Sequence, residues 1–327
     1  MSKLIIGVIG YRNHSQKIIS HLLKIKKNNQ IISYCYRSDQ LKNLIKKNKE
    51  KSLKYTNKIK DLNVCKAIFI SSATGSHFDY IKQFIKNDAY IYCEKPGPIS
   101  LKEINYIKKL PSKAKKKLYF GHNLLNSEIY FDLKKILSKG KYGKPICAQI
   151  NITNGISFKE SLNNNWRFRS KSIFKKITGN VGIHYLGLLI FLFGKIKKFN
   201  INQFGIIKKN KIDNCLIDIN FLNNFYSRIF LSYSSVVDEE IKIYFSNGIL
   251  LFNGKKLTAF HPRNTFDNKK NFIKPNRKVL KKYSSSWSEK SLINSIDYFL
   301  KISLFNQNFA IKDFNQFLKI NEILCRY

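Results

Sequence analysis

The chain has 327 residues, 43% of them hydrophobic, and a formal net charge of +40. This apolar content supports a sizeable core and excludes a disordered composition, and the length suggests two domains. The longest apolar stretch, Ile183 to Phe193, is interrupted by His184 and is too short for a bilayer, so no membrane span is predicted.

The first 122 residues alternate between strand-like and helix-like patterns. Apolar runs predict strands, and apolar residues at helical spacing predict the helices between them. Repeated βα units imply a parallel sheet with right-handed crossovers. The predicted strands are Leu4–Ile9, Ile31–Tyr36, Ala67–Ser71, Ala89–Cys93 and Leu118–Phe120.

A period-two pattern replaces this alternation after about residue 123. Apolar and polar residues alternate over Ile146–Ile152, Tyr226–Tyr233 and Ile241–Phe245. The segment Phe260–Lys282 is predicted to form a long loop. Two amphipathic helices are predicted after it. We therefore predict two domains: an α/β domain over residues 1–122, and an α+β domain with a mostly antiparallel, open-faced sheet over residues 123–327.

The segment from Gly7 to Ser15 lies where the glycine loop of a doubly wound Rossmann domain lies, between the first strand and the first helix. Gly10 takes the position of the first glycine, and Arg12 and Ser15 take those of the second and third. Arg12 could clash with a pyrophosphate or offer it a guanidinium, and Ser15 could cap the helix and donate to phosphate. A tight turn without ligand is the alternative. The predicted cofactor residues here are Gly7, Gly10, Tyr11 and Arg12.

The second strand ends at Tyr36-Arg37-Ser38, where NAD-specific sites usually place an acidic residue for the ribose hydroxyls. Arg37 and Ser38 suit a 2′-phosphate instead. The predicted cofactor is therefore NAD or NADP, with NADP favoured.

Glu94-Lys95-Pro96 directly follows an apolar strand. The carboxyl ends of parallel strands are where open α/β sheets bind ligands. Pro96 restricts Lys95 to extended conformations, so the amine leaves the strand in a defined direction. Ser100 to Glu103 has the form of a capping box that opens the next helix.

The order of these segments resembles the Gfo/Idh/MocA family of NAD(P)-dependent oxidoreductases over nearly the whole chain. Glu94-Lys95-Pro96 matches the family's most recognisable motif, and Ile70 to His77 resembles its loop after a central strand. Gly121-His122-Asn123 resembles the end of the last Rossmann strand. Trp166-Arg167 matches a substrate-loop pair, and Gly179 to His184 resembles the D-x-G-x-H helix start with Asn180 in place of Asp.

The resemblance implies hydride transfer between a nicotinamide and a carbinol or carbonyl carbon of a sugar, cyclitol or nucleotide sugar. It implies that Lys95 bridges the cofactor ribose and the substrate oxygen, and that His184 exchanges the proton of that oxygen. It also implies a homo-oligomer through the open sheet face. The further implied cofactor contacts are Ser72, His77, Glu94, Lys95 and Pro96, and the implied substrate contacts are Lys95, Asn123, Trp166, Arg167, Asn180 and His184.

Two other functions stay open. The first is that of a family member that binds a sugar or nucleotide without redox turnover. Four residues favour it because they depart from the family pattern: Arg12, Ser15, Asn180 and Gly187. A basic nucleic-acid-binding protein is the other, but the lysines are spread along the chain, which favours a solvated surface.

The six cysteines show no CxxC spacing, so no metal or dithiol site is predicted. The first apolar run is broken early by Gly10, unlike a secretion signal. We expect a cytoplasmic protein whose cysteines are small core residues.

Overall fold

The computed structural model describes residues 4–25, 30–159, 172–207 and 212–327. By contacts the chain forms two compact units, one of Met1–Asn123 with Leu292–Cys325 and one of Leu124–Ser291 with Arg326–Tyr327. The first contains a six-stranded sheet and the second an eight-stranded sheet. The predicted fold class is confirmed.

All six strands of the first sheet are parallel, in the order β3-β2-β1-β4-β5-β6. This is the order of a doubly wound dinucleotide-binding sheet, in which the strand order reverses beside β1. Ligands bind such sheets at the carboxyl ends of the strands next to that reversal. The strands are β1 Ile5–Ile9, β2 Gln30–Tyr34, β3 Leu53–Thr56, β4 Ala67–Ile70, β5 Tyr90–Glu94 and β6 Leu118–Gly121.

Helices connect these strands: α1 Asn13–Ile25, α2 Ser38–Lys47, α3 His77–Phe84, α4 Leu101–Lys108 and α5 Ser112–Lys115. At the start of α4, the Ser100 half of the predicted capping box is present, and the Glu103 side chain reaches back one residue further, to Ile99. The Glu103 N–H donates to Ser100 Oγ (3.2 Å), and the Ile99 N–H donates to Glu103 Oε2 (2.6 Å).

The short edge strand β3 was not predicted. Its two end residues, Leu53 and Thr56, are buried, and Lys54 and Tyr55 between them are more exposed. The segment therefore has no apolar run, and it forms a strand only because its backbone pairs with β2.

The last two helices are α8 Trp287–Leu304 and α9 Ile311–Leu324, in residues that the sequence analysis assigned to the second domain. From Leu292 to Cys325 they belong to the first unit. Phe299 is fully buried there, with its ring 4.9 Å from Phe69 and 5.5 Å from Tyr92. The apolar face of α8 thus completes the core over the parallel sheet.

The second sheet has the order β14-β13-β12-β11-β7-β10-β9-β8 and is antiparallel except for the β7–β10 pair. Helices α6 Glu128–Lys139 and α7 Ile183–Phe193 belong to this unit. The segment predicted as a long loop ends in a strand, β14. The strands are β7 Pro145–Thr153, β8 Ile196–Phe204, β9 Asn214–Phe221, β10 Tyr226–Ser232, β11 Asp238–Phe245, β12 Gly248–Phe252, β13 Lys256–Phe260 and β14 Arg277–Lys282.

Within the described residues, none of the helices combines the length and apolar character that crossing a membrane requires. The same residues contain no group of three or more His, Cys, Asp or Glu side chains arranged to hold a metal ion.

Candidate active site

The turn between β1 and α1 depends on Gly10. Its φ of +133° is a conformation that other residues rarely adopt. A Cβ at this position would also lie 2.4 Å from Ser15 Oγ and 2.9 Å from the Ser71 carbonyl oxygen. Glycine therefore lets the β1–α1 turn approach the end of β4. Gly7, by contrast, lies inside β1, where a Cβ would be 3.2 Å from the Leu62 side chain and 3.3 Å from that of Cys65. Gly7 therefore packs in the core and is not part of the loop.

Ser15 has a different position from the one predicted. It lies inside α1 and is 1% exposed, and its Oγ accepts a hydrogen bond from Ser71 Oγ at 2.9 Å. The hydroxyl thus ties α1 to the end of β4 and neither caps the helix nor reaches solvent.

Two aromatic rings and two guanidinium groups follow β1 and β2, which are neighbours in the sheet. The Tyr11 and Tyr36 rings meet edge to face at 5.8 Å, and the Arg12 guanidinium lies 5.9 Å from the Tyr11 ring. Arg12 is exposed. Arg37 makes an exposed ion pair with Asp39 at 3.0 Å. Arg37 directly precedes α2, which begins at Ser38, and Asp39 lies in its first turn.

Glu94 is a buried carboxylate at the end of β5, with a side chain only 7% exposed. Its Oε1 lies 2.9 Å from His14 Nε2 and 3.2 Å from the Tyr92 hydroxyl. Burial raises the pKa of Glu94, but the contact with His14 and the charge of Lys95 outweigh that effect and leave the pKa below its ordinary value. A fixed negative charge therefore lies directly before Lys95.

His77 and Ser72, both predicted cofactor contacts, lie together after β4. The His77 Nε2 atom lies 3.1 Å from the Ser72 carbonyl oxygen, and the residue is 2% exposed. Burial lowers the pKa of His77, so the ring is neutral at neutral pH. Its contact fixes the loop backbone, while Ser72 is half-buried and its Oγ lies 2.8 Å from Ser76 Oγ.

Lys95 is half-buried and precedes a cis peptide bond to Pro96. The turn is held from α9, because Asn321 Nδ2 donates to the carbonyl oxygens of Pro96 and, at 2.9 Å, of Pro98. Asn321 is 2% exposed. The buried amide thus fixes the backbone that follows Lys95, the residue predicted to be catalytic.

His122 and Asn123 follow β6 beside this turn. Asn123 Oδ1 accepts a hydrogen bond from the Tyr92 hydroxyl at 3.0 Å. The His122 ring is stacked on Phe317 at 4.8 Å, and burial together with the charge of Lys95 lowers the pKa of His122 to about 3. His122 is therefore neutral, and Tyr92 links Asn123 to Glu94.

In the second unit, a π-helical turn over Thr178–Gly182 leads into α7. Such turns are frequent at functional sites. A Cβ at Gly179 would lie 2.2 Å from the Cα of Phe174, so only glycine fits there. Asn180 Nδ2 donates to the Tyr233 hydroxyl at 2.8 Å. His184 is half-buried although its neighbours Ile183 and Tyr185 are buried.

The predicted residues thus fall into two groups. Lys95 and the cofactor residues belong to the first unit, and Asn180 and His184 belong to the second. Trp166 and Arg167 lie outside the described residues. Sequence reasoning missed the contacts of His14, Tyr92 and Asn321. Each side chain has at least one partner that is distant in sequence: Glu94, Asn123 and Pro98, respectively.

The parallel sheet with its strand-order reversal, the Gly10 turn and the Lys95 turn define a Rossmann-type, dinucleotide-binding class of protein. The chain matches the family described as "Oxidoreductase family, NAD-binding Rossmann fold" over residues 4–122 and the GFO/IDH/MocA C-terminal domain over residues 130–251. The protein belongs to the Gfo/Idh/MocA family of oxidoreductases, as its motifs predicted.

A curated relative, Oxidoreductase P35 from Formosa agariphila, is 24% identical over 148 residues. This match spans 45% of each chain. A solved structure of a protein described as an NADPH-dependent oxidoreductase from Desulfitobacterium hafniense has a TM-score of 0.80 and 14% identity, with 98% of this chain and 94% of that chain covered.

A levoglucosan dehydrogenase solved with NADH and levoglucosan has a TM-score of 0.77 and 13% identity, with 99% of this chain and 97% of that chain covered. At these identities, the solved structures establish the shared fold.

Proposed function

We propose that the protein transfers a hydride between a nicotinamide cofactor and a carbinol or carbonyl carbon of a sugar, cyclitol or nucleotide sugar. The observation that carries the proposal is the Lys95 turn, fixed by Asn321 at the carboxyl end of β5, two strands from the Gly10 turn. The levoglucosan dehydrogenase among the structural relatives supports a sugar-like substrate.

The residues of the β1–α1 turn fit a dinucleotide. Gly10 keeps the turn tight, the N-terminus of α1 offers backbone N–H groups to a pyrophosphate, and Arg12 is exposed beside it. The bound cofactor would supply or accept the hydride. A preference for NADP rests on Arg37 and Ser38, although Asp39 already pairs with Arg37. The two structural relatives named above carry NADPH in one description and NADH in the other.

In this proposal Lys95 acts as a positioned cation that polarises the substrate oxygen. The buried Glu94 carboxylate beside it supports a charged amine in a half-buried place. His184 exchanges the proton of the same oxygen, a step suited to an imidazole. Asn123 and Asn180 are proposed to hydrogen-bond the substrate, together with Trp166 and Arg167.

The first test is calorimetric titration with NADPH and NADH, followed by turnover of a panel of sugars and cyclitols. Lys95→Ala should lower turnover by roughly 100-fold or more while leaving the fold intact. Lys102→Ala is the matched control, because Lys102 is exposed on α4. Unchanged turnover in Lys95→Ala would exclude the proposed role.

A binding protein without redox turnover is the second candidate. The observation that favours it is Asn180, which hydrogen-bonds Tyr233 and offers no carboxylate to a nearby histidine. It predicts cofactor or sugar binding with no change in the absorbance of reduced nicotinamide across the substrate panel. Nucleic-acid binding rests on net charge alone, and absent or salt-insensitive binding would remove it.

We further propose a homo-oligomer through the open face of the second sheet. Phe230 on β10 and Leu216 on β9 are paired across the two strands, and both are half-exposed. The neighbours of Phe230 along the strand, Ile229 and Leu231, are buried. Phe230→Asp should lower the mass measured by light scattering if this face forms the interface, whereas an unchanged mass would contradict it. The six free cysteines, four of them buried, fit the cytoplasmic location that we propose.

A further inference from the structure

We propose that His14 is a cofactor-binding residue whose protonated ring adds a positive charge at the pyrophosphate position, so that cofactor affinity depends on pH. This inference rests on the proposed function. Sequence reasoning assigned the loop to the cofactor through its glycine positions and gave His14 no role.

The position of His14 suits this role. It is the second residue of α1, in the turn that directly follows the Gly10 loop. Its Nε2 atom is inaccessible to solvent and lies 2.9 Å from Glu94 Oε1, yet 42% of the side chain is exposed. The exposed surface therefore belongs to other atoms of the side chain, so that His14 reaches from the buried carboxylate to the surface near the start of the helix.

The local sequence gives His14 a reason to bind an anion. In a standard loop, the second glycine lets the backbone approach the pyrophosphate closely. Arg12 occupies that position here, and the Ser15 hydroxyl is hydrogen-bonded to Ser71. The loop therefore has fewer backbone groups free to approach a pyrophosphate and more side-chain charge beside it. An imidazolium within the first turn adds to the field of the helix N-terminus, which already favours anions.

Glu94 favours the charged form of this histidine. Burial lowers the pKa of His14, but the Glu94 carboxylate outweighs it, so that the pKa lies above the ordinary value. Lys95 and Lys17 oppose this rise and do not cancel it. Among the neighbours, Glu94 stays ionised because its own pKa is lowered, and buried His77 is neutral.

Cofactor binding should weaken as the pH rises. A pyrophosphate favours protonated His14, so the added affinity is present below the pKa of His14 and is lost as the pH rises through it. Since that pKa lies above the ordinary value for histidine, about 6.5, the loss falls on the neutral to alkaline side. One such charge near a phosphate should change the dissociation constant by roughly fivefold to tenfold.

The test measures dissociation constants of NADH and NADPH by calorimetry from about pH 6 to about pH 9, a range that spans histidine titration. Wild type should lose affinity as the pH rises, and His14→Gln should bind weakly with no such dependence. His21→Gln is the matched control, since His21 lies on the same helix and pairs with Asp297 at 2.8 Å. It should retain the wild-type profile.

NMR titration of the ring signal that disappears in His14→Gln provides a second measurement. Its pKa should rise when the protein is saturated with cofactor or with inorganic pyrophosphate. An unchanged His14 pKa, or a His14→Gln profile that follows wild type, overturns the proposal while the proposed function stands. Absence of binding by wild type at every pH overturns the proposed function as well.

Discussion

Asn321 on α9 donates a hydrogen bond to the carbonyl oxygen of Pro98 at 2.9 Å, although the two residues are 223 positions apart. The same amide also bonds the carbonyl oxygen of Pro96, directly after Lys95. A helix from the end of the chain thereby fixes the turn that carries the family motif.

Replacing Asn321 with Ala should loosen that turn. Two buried carbonyl oxygens lose their donor, at a cost of about 1–3 kcal/mol in the free energy of unfolding. Turnover should fall more than cofactor affinity, since Lys95 would be misplaced by a small distance. Urea denaturation and steady-state kinetics measure the two effects. Asn315→Ala, exposed on the same helix, is the control; equal effects of both variants would contradict a positioning role.

Gly179→Ala should destabilise the second unit. Its Cβ would lie 2.2 Å from the Cα of Phe174, so backbone must shift, at a cost of about 1–3 kcal/mol. Gly155→Ala is the control, because the nearest atom to its Cβ would be 3.6 Å away. Thermal unfolding of the two variants measures the difference, and an unshifted Gly179→Ala would show that the turn can relax.

Glu94 should make stability depend on acid pH. Its pKa is lowered in the folded protein, so its contribution is present above the ordinary value of 4.5 and is lost as the pH falls through the folded value. Glu94→Gln should flatten the decline of stability below about pH 5. Urea unfolding at a series of pH values measures this, with exposed Glu50→Gln as the control. A decline as steep as that of wild type would contradict the prediction.

Asn180→Asp restores the carboxylate of the family pattern. If the protein is a working oxidoreductase, the carboxylate should stabilise the protonated form of His184, four residues further along the chain, and raise turnover by roughly tenfold. Tyr233→Phe, which removes only the hydroxyl that Asn180 contacts at 2.8 Å, separates loss of this hydrogen bond from gain of charge. No turnover in either variant, together with retained cofactor binding, would favour the binding protein.

The first unit shows how far local patterns reach. Apolar runs predicted β1, β2, β4, β5 and β6, because buried parallel strands need continuous apolar sequence. The edge strand β3 lacks such a run, and its pairing with β2 decides its structure. Likewise, the amphipathic pattern of α8 predicted that one face would be buried, but not that Phe299 would pack on the parallel sheet.

The candidate site divides in the same way. Gly10, Lys95, Pro96 and His184 were predicted, because short motifs report backbone geometry and chemistry within a few residues. Their environment was not predicted: Ser15 accepts a hydrogen bond from Ser71, His14 lies beside Glu94, and the Tyr92 hydroxyl donates to Asn123. The sequence by itself determined the family, the two kinds of sheet and the position of the Lys95 turn. Only the tertiary structure decided which distant side chains hold that turn and set the charge around it, because those contacts depend on where separate elements pack and leave no local pattern in the chain.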